Sequence, residues 1–94
     1  MPKAALLGDM GSDHHGYPAT PIISGTSTVL IDGKPVARIG DSLMEHDKPL
    51  SPKHPRMIAS GSTTVLIEGK FAARVGDKVD CGGVIVGGSS VNIG

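Results

Sequence analysis

The sequence has very few aromatic residues. Its 94 residues include one Tyr, one Phe and no Trp. Large rings supply much of the buried area in most small cores, so this core must consist of Val, Ile, Leu, Ala and Met. So short a chain is marginally stable on burial alone and often depends on a metal, a disulfide or a partner subunit. The composition therefore predicts one small domain, residues 1–94, that needs an additional stabilising element.

Cysteine, net charge and long apolar runs are also lacking. Cys81 is the only cysteine, which excludes an intramolecular disulfide. Nine basic residues balance nine acidic ones, so no basic surface indicates binding to nucleic acid or to an anionic membrane. No apolar run approaches the length of a membrane span, so we expect no stable membrane insertion. The apolar residues 4–7 are too few for a signal-peptide core. We expect synthesis in the cytoplasm without a signal peptide, and delivery outside the cell by a leaderless route stays open.

What the sequence does contain is an internal repeat. Residues 25–41 read GTSTVLIDGKPVARIGD and residues 61–77 read GSTTVLIEGKFAARVGD, with eleven of seventeen positions identical. Residues 87–93, GGSSVNI, match the start of the repeat, and residues 7–9, LGD, match its end. A repeated supersecondary unit is a strong indication of architecture. We therefore predict three β units, the third combining both ends of the chain.

Each full repeat predicts a β-hairpin. Residues 28–32 carry the β-branched residues that suit a strand, and Asp32-Gly33 is a two-residue hairpin turn with Glu68-Gly69 as its equivalent. Residues 10–21 and 42–60 are rich in Pro and polar residues and are predicted to be loops. No segment has a convincing helical period. The prediction is an all-β fold with long loops.

Three potential metal ligands occupy equivalent positions after the Gly-Asp pair that ends each unit. They are His14, five residues after Asp9; His46, five after Asp41; and Cys81, four after Asp77. If a rotation relates the units, these side chains converge near one axis, and His54 can fold back as a fourth ligand. A tetrahedral site with three imidazoles and one thiolate suits zinc better than other common ions.

Several alternatives stay open at this point. The His and Cys residues could be solvated loop residues and a small buried thiol. His15 could replace His14 as the first ligand, although only His14 matches the spacing of His46. The flanking acids could accept hydrogen bonds from the ligands or be surface charges; these are Asp13, Glu45, Asp47 and Asp80. If four protein ligands bind, the shell is closed and the metal is structural.

The sequence resembles the PAAR-repeat family. The Pro-Ala-Ala-Arg run that names the family corresponds to residues 35–38, PVAR, and residues 71–74, FAAR, each followed by Ile or Val, Gly and Asp. The resemblance covers essentially the whole chain. It implies a small conical β-rich fold, with three pseudo-threefold-related hairpin units and one structural zinc ion near the point. Carried over to this chain, the zinc ligands are His14, His46, His54 and Cys81.

The resemblance also implies a function. Members of the family cap and sharpen the trimeric β-helix of the VgrG spike, one tip per trimer, in type VI secretion systems or related contractile machines. This chain resembles a stand-alone, non-enzymatic tip that aids membrane puncture, carries effector proteins and is delivered extracellularly or into target cells. The alternatives are a small secreted zinc hydrolase or toxin and a metal-free interaction module. No nucleophile elbow or other positioned triad signature supports an enzyme.

Overall fold

The computed structural model describes residues 2–48 and 51–94, and this part of the chain is built from short β-strands. It contains no helix, and hence none long and apolar enough to cross a membrane. The all-β prediction is therefore confirmed for the described residues. The strands are β1 Met10–Gly11, β2 Thr20–Pro21, β3 Leu30–Ile31, β4 Lys34–Pro35, β5 Ser42–Lys48, β6 Ser51–Met57, β7 Leu66–Ile67, β8 Lys70–Phe71 and β9 Ile85–Val86.

Both full repeats form the predicted hairpins. β3 pairs with β4 and β7 pairs with β8, each antiparallel. The turn residues have left-handed φ values of 54° at Asp32, 76° at Gly33, 53° at Glu68 and 80° at Gly69. Left-handed values at both central positions are typical of the two-residue turn that matches the twist of paired strands. The Asp-Gly and Glu-Gly signals therefore identified the turns correctly.

The two ends of the chain pair with each other. Lys3 and Asn92 form an antiparallel bridge, and the Ala4 amide donates to the Val91 carbonyl at 2.8 Å. The corresponding bond in the second repeat runs from the Ala72 amide to the Val65 carbonyl at 2.9 Å. Residues from opposite ends of the sequence thus pair as the strands of one repeat do.

Three alanines connect the units through a closed ring of backbone hydrogen bonds. The Ala37 amide donates to the Ala5 carbonyl at 2.9 Å, and the Ala73 amide to the Ala37 carbonyl at 2.9 Å. The Ala5 amide completes the ring by donating to the Ala73 carbonyl at 3.0 Å. All three residues are fully buried. Methyl side chains allow the three backbones to approach this closely.

A hydrogen-bonded Gly-Asp turn ends each unit. In each turn the Asp carboxylate accepts from the backbone amide three residues earlier, and the preceding Gly has a left-handed φ between 88° and 93°. Glycine adopts this conformation at little cost. The bonds are Leu6 to Asp9 at 2.9 Å, Arg38 to Asp41 at 2.7 Å and Arg74 to Asp77 at 2.7 Å.

Arginine side chains reinforce two of these turns. Arg38 donates from Nε and Nη2 to the two carboxylate oxygens of Asp41, both at 3.1 Å. Arg74 does the same to Asp77 at 3.1 and 3.0 Å. Bidentate pairs of this kind fix the relative orientation of both groups. Arg38 and Arg74 therefore stabilise turns, and their equivalence in the repeat reflects that role.

The core is aliphatic, as the composition predicts. It lies between the alanine ring and the segments that follow the Gly-Asp turns, and it consists of Ala5, Ile22, Ala37, Leu43, Ile58, Ala73, Val79 and Ile85. Three of its isoleucines donate their amides to the Asp carbonyls of the turns, at 2.8 Å for Ile22, 3.0 Å for Ile58 and 2.9 Å for Ile85. The turns thus direct each following segment back onto the core.

The long loop predicted over residues 42–60 is wrong, whereas the loop predicted over residues 10–21 is confirmed for residues 12–19. Most of residues 42–60 form the β5–β6 hairpin, apart from residues 49 and 50, which lie outside the described residues. Residues 10–21 contribute β1 and β2, and β9 pairs with the other side of β1. In β5 only Leu43 and His46 are buried, three residues apart, because the ladder shifts register between them. A bulged strand lacks the alternation of apolar residues that identifies a strand.

The turns of the repeat hairpins also contact neighbouring units. The Glu68 carboxylate accepts from the Thr28 hydroxyl at 2.8 Å, from the Ser27 hydroxyl at 3.1 Å and from Arg38 Nη1 at 2.8 Å. The equivalent Asp32 accepts from the Ser90 amide at 2.7 Å and its hydroxyl at 2.5 Å. The Gly94 carbonyl accepts from the Ser62 hydroxyl. These bonds join the second unit to the first, the first to the third and the third to the second. They therefore close a second ring of contacts between units, in addition to the alanine ring.

The Glu68 contacts predict an acid-dependent change in stability. Hydrogen bonds from the hydroxyls of Thr26 and Thr28 lower the pKa of Glu68 from 4.5 to about 2. The stability that this carboxylate contributes is complete above pH 4.5 and is lost as the pH falls towards about 2, because the unfolded chain binds the proton more readily. The melting temperature of the Glu68→Gln variant should therefore fall less over this range than that of the wild type.

The control is Glu45→Gln, which removes an exposed carboxylate from β5. Melting curves at several pH values for the three proteins provide the comparison. If Glu68→Gln and the wild type lose stability in parallel between pH 4.5 and about 2, the Glu68 contacts do not contribute as described.

Candidate metal centre

Four potential metal ligands meet at one place. His14 lies between β1 and β2, His46 on β5, His54 opposite it on β6, and Cys81 between β8 and β9. One ligand atom from each lies within 4.8 Å of the other three. They are the four residues that the spacing and the family resemblance selected from the sequence. Together they could hold a metal ion.

The distances from His46 Nε2 to the other three ligand atoms suit a small ion. His46 Nε2 lies 3.2 Å from His14 Nε2, 3.0 Å from His54 Nε2 and 3.7 Å from Cys81 Sγ. Around a tetrahedral zinc ion with usual bond lengths, two nitrogens are about 3.3 Å apart and a nitrogen and a sulfur about 3.6 Å. The atoms around His46 are therefore spaced as a tetrahedral shell requires.

The tautomers of two histidines also fit a cation. His46 Nδ1 lies 2.8 Å from the Pro18 carbonyl, and His54 Nδ1 lies 3.2 Å from the Pro55 carbonyl. A carbonyl only accepts, so each Nδ1 carries the hydrogen and each Nε2 of the neutral ring presents a lone pair. Two lone pairs facing each other at 3.0 Å repel. A cation between the rings removes this repulsion.

The environment favours the neutral imidazoles that a metal requires. Burial lowers the pKa of His14 below 6.5, and the neighbouring charges of His46 and Arg56 lower it further. Burial also lowers the pKa of His46, more than the hydrogen bond to the Pro18 carbonyl raises it. Metal ligands must be deprotonated, so both shifts favour the form that binds.

Comparison of the sequence with known protein families identifies the family of this chain. The PAAR motif family model matches residues 3–48 and, in a second overlapping match, residues 13–87. The chain belongs to the PAAR motif family. Membership implies a protein associated with the spike of a type VI secretion system. None of the curated proteins matches the chain.

Tyr17 covers the imidazoles of this PAAR protein. Its ring stacks on His46 with centroids 4.7 Å apart and meets His54 edge-on at 4.5 Å. Lys48 Nζ lies over the Tyr17 ring, 4.8 Å from its centroid. The aromatic ring shields the histidines from water, which strengthens electrostatic interactions among them. This role of Tyr17 was not predicted from the sequence. The signal that could have indicated it is the position of Tyr17, three residues after His14 in a chain with only two aromatic residues.

His15 occupies a turn outside the ligand cluster. It has a left-handed φ of 47° and is exposed, and Gly16 after it has a φ of 84°. His14 and Tyr17 pair across this turn, and the His15 carbonyl accepts from Lys48 Nζ at 2.5 Å. Of the two adjacent histidines, the structure therefore places only His14 in the cluster.

Two glycines allow the Cys81 segment to approach the His14 segment. A Cβ on Gly82 would lie 3.1 Å from the His14 ring, and a Cβ on Gly83 would lie 2.6 Å from the Ser12 carbonyl oxygen. Both glycines also have left-handed φ values. Glycine at both positions therefore allows the backbone after Cys81 to pack closely against the His14 ring and Ser12.

The flanking acids do not accept the ring hydrogens of His46 and His54, which was one of the two roles that the sequence left open for them. Within the described residues, the ring N–H groups of His46 and His54 are paired with backbone carbonyls. Asp80 instead accepts from the Met57 amide at 2.9 Å. The other three, Asp13, Glu45 and Asp47, are exposed. Their interpretation as surface charges is the better one.

Sequence reasoning also missed Arg56, the largest fully buried side chain of the described residues. Its Nε lies 3.3 Å from Cys81 Sγ, and its Nη1 donates to the Thr20 hydroxyl at 2.9 Å. Arg56 follows His54 by two positions on β6, so alternation along the strand places both on one face. That signal was invisible while the segment was taken for a loop.

A pair of matched variants tests the choice between the adjacent histidines. Asn tolerates left-handed φ values, so His15→Asn should fold and keep a full complement of metal. His14→Asn removes one ligand from the cluster and should lose most of the metal under the same conditions. Native mass spectrometry of both purified variants measures metal per chain. Equal retention in both, or loss only in His15→Asn, would show that His14 is not a ligand.

Proposed function

We propose that this PAAR protein is a non-enzymatic, zinc-stabilised tip that caps one trimeric β-helix of a type VI secretion spike. The observation that carries the proposal is the closed hydrogen-bond ring of Ala5, Ala37 and Ala73. The ring gives one chain three similar units around an axis. A trimeric β-helix ends in three identical edges around its own axis. Matching symmetry lets one tip contact all three chains of the trimer.

The direction of the chain supports a body with two different ends. From the ring, the chain runs nine residues from Ala5 to His14, nine from Ala37 to His46 and eight from Ala73 to Cys81. Each of these segments passes through a Gly-Asp turn first. The molecule is elongated, with extents of 40 × 24 × 21 Å. We infer that the ligands form the point and that the repeat hairpins form the base.

The repeat hairpins supply a surface suited to docking. Leu30 is 63% exposed, Leu66 59% and Phe71 40%, and all three lie on the short strands of the two repeats. Exposed apolar side chains next to one another favour contact with a partner. In the third unit the polar residues Lys3 and Asn92 pair with each other at the positions equivalent to Phe71 and Leu66. The proposed docking face is thus apolar on two units and polar on the third.

The metal has a mechanical role in this proposal. His14, His46, His54 and Cys81 would fill the tetrahedral shell of one zinc ion and leave no position for substrate, so the zinc is structural. The segments that carry these ligands bury few apolar side chains, and a shared ion fixes them to one another. A rigid point sharpens the spike for membrane puncture, and the same body can carry effector proteins out of the cell.

Metal removal should destabilise the protein. The wild type should carry one zinc per chain, and His46→Ala or Cys81→Ser should carry little. Because binding energy of a structural zinc adds to folding, the melting temperature of either variant should fall by at least about 10 °C. Native mass spectrometry and calorimetry give the two values, with His15→Asn as the control. A wild type purified without chelators that contains no zinc would exclude the zinc-stabilised tip.

The docking face can be tested without disturbing the metal. Leu66→Asp places a charge on the proposed face and should weaken the complex with a trimeric β-helix end at least about tenfold. Met44→Asp is the matched control, because Met44 is similarly exposed, at 51%, but lies on β5. Calorimetric titration measures affinity and the ratio of one tip per trimer. Equal effects of both variants would place the interface elsewhere.

A further inference from the structure

We propose that Arg56 is a positioning residue of the metal centre: it holds the Cys81 sulfur in place for the ion and weakens electron donation from that sulfur to the metal. This inference rests on the proposed zinc site and adds a fifth residue to it. A protonated guanidinium has no lone pair to donate, so Arg56 is not itself a ligand. It acts through the sulfur and through the segments that carry His14 and Cys81.

The five N–H groups of the Arg56 guanidinium have five acceptors within reach. Nε points to Cys81 Sγ at 3.3 Å. The remaining acceptors are the Gly11 carbonyl at 3.1 Å and the Thr20 hydroxyl at 2.9 Å for Nη1, and the Ser12 carbonyl at 2.8 Å and the Gly82 carbonyl at 3.2 Å for Nη2. The side chain is 1% exposed, so water does not compete for these donors. Its orientation is therefore fixed by the surrounding backbone.

The charge of Arg56 has no carboxylate partner among the described residues. The ion pairs found there join Arg38 to Asp41 and Glu68, and Arg74 to Asp77. A buried charge without an opposite charge is strongly unfavourable. The acceptors of Arg56 are carbonyls and a hydroxyl, except for one sulfur that can be an anion. Arg56 therefore places its positive charge beside Cys81 Sγ, where its Nε–H can donate a hydrogen bond to the sulfur of a metal-bound cysteine.

The carbonyl contacts locate two of the ligands before a metal arrives. Gly11 and Ser12 lead directly into His14, and Gly82 follows Cys81. Arg56 binds the carbonyls of all three and itself lies two residues after His54 on β6. One side chain thus ties the three segments to one another. Such orientation reduces the ordering that metal binding would otherwise require.

The hydrogen bond to sulfur has a spectroscopic consequence. A thiolate that accepts a hydrogen bond from a cation holds its lone pairs at lower energy and donates them less to a bound metal. In a cobalt-substituted protein, the thiolate-to-cobalt charge-transfer band therefore lies at shorter wavelength than it would without Arg56. A purely structural arginine would not change the position of this band.

Arg74 provides a matched control within the same chain. Like Arg56 it donates to a backbone carbonyl, that of Gly61, at 3.1 Å, but unlike Arg56 it makes a bidentate pair with a carboxylate, that of Asp77. Its hydrogen bonds stabilise a turn and do not include Cys81. Substituting Arg74 therefore removes a structural arginine and leaves the metal ligands untouched.

The experiment compares cobalt binding by the wild type, Arg56→Met, Arg56→Lys and Arg74→Lys. We expect Arg56→Met to bind cobalt about 10- to 100-fold more weakly and to shift the charge-transfer band to longer wavelength. Arg56→Lys keeps the charge and should restore part of both properties. Arg74→Lys should lower the melting temperature but leave cobalt affinity and the band unchanged. Unchanged affinity and band in the Arg56 variants, or equal shifts in Arg74→Lys, would overturn the proposal.

A measurement on the wild type decides the question if both Arg56 variants fail to fold. In the protein loaded with ¹¹³Cd, a hydrogen bond from Arg56 Nε to the ligating sulfur should give a measurable coupling between the Nε–H proton and the cadmium nucleus. Detection of this coupling supports the proposal, and its absence from a fully loaded sample contradicts it. A wild type that binds neither cobalt nor cadmium would instead overturn the metal site itself.

Discussion

The hydrogen bond from each Asp carboxylate to the amide three residues before it determines how the rest of the molecule is arranged. Asp9, Asp41 and Asp77 close equivalent turns. On one side of the turns lie the alanine ring and the repeat hairpins, and on the other lie the segments with the potential metal ligands. Because the turns are alike, each chain segment spans a similar number of residues between the alanine ring and the ligand cluster. The Gly-Asp pair therefore determines both the packing of the units and the place where the ligands meet.

The two parts of the molecule are stable for different physical reasons. Around the turns the protein has a conventional aliphatic core of eight side chains. Around the ligands it has polar and aromatic groups: the histidines, the ring of Tyr17 and the buried guanidinium of Arg56. Burial of apolar area is effective only in the first part. In the second, order depends on hydrogen bonds, charge and, in our proposal, a metal ion.

The repeat explains which features could be predicted from the sequence. Identical residues at a constant offset indicated the hairpins and the turns, and counting from the turns selected His14, His46 and Cys81. The β5–β6 hairpin was not predictable, because a bulged register buries Leu43 and His46 three residues apart and hides the alternation of a strand. Arg56 was missed for the same reason, since its position beside Cys81 Sγ follows only once β6 is known to be a strand. Side chains that act through geometry between non-repeated segments leave no periodic signal.

The pairing of the two ends of the chain has a consequence for biosynthesis. Ala4 bonds to Val91, and Lys3 pairs with Asn92, so contacts in that unit span almost the entire sequence. A ribosome releases the residues near position 91 only after the others have been made, and contacts between distant residues form slowly. The first two units can assemble during translation, whereas the unit that joins the ends must wait for the last part of the described sequence. Until then Lys3 and Ala4 lack their partners Asn92 and Val91, and unpaired strand edges favour aggregation.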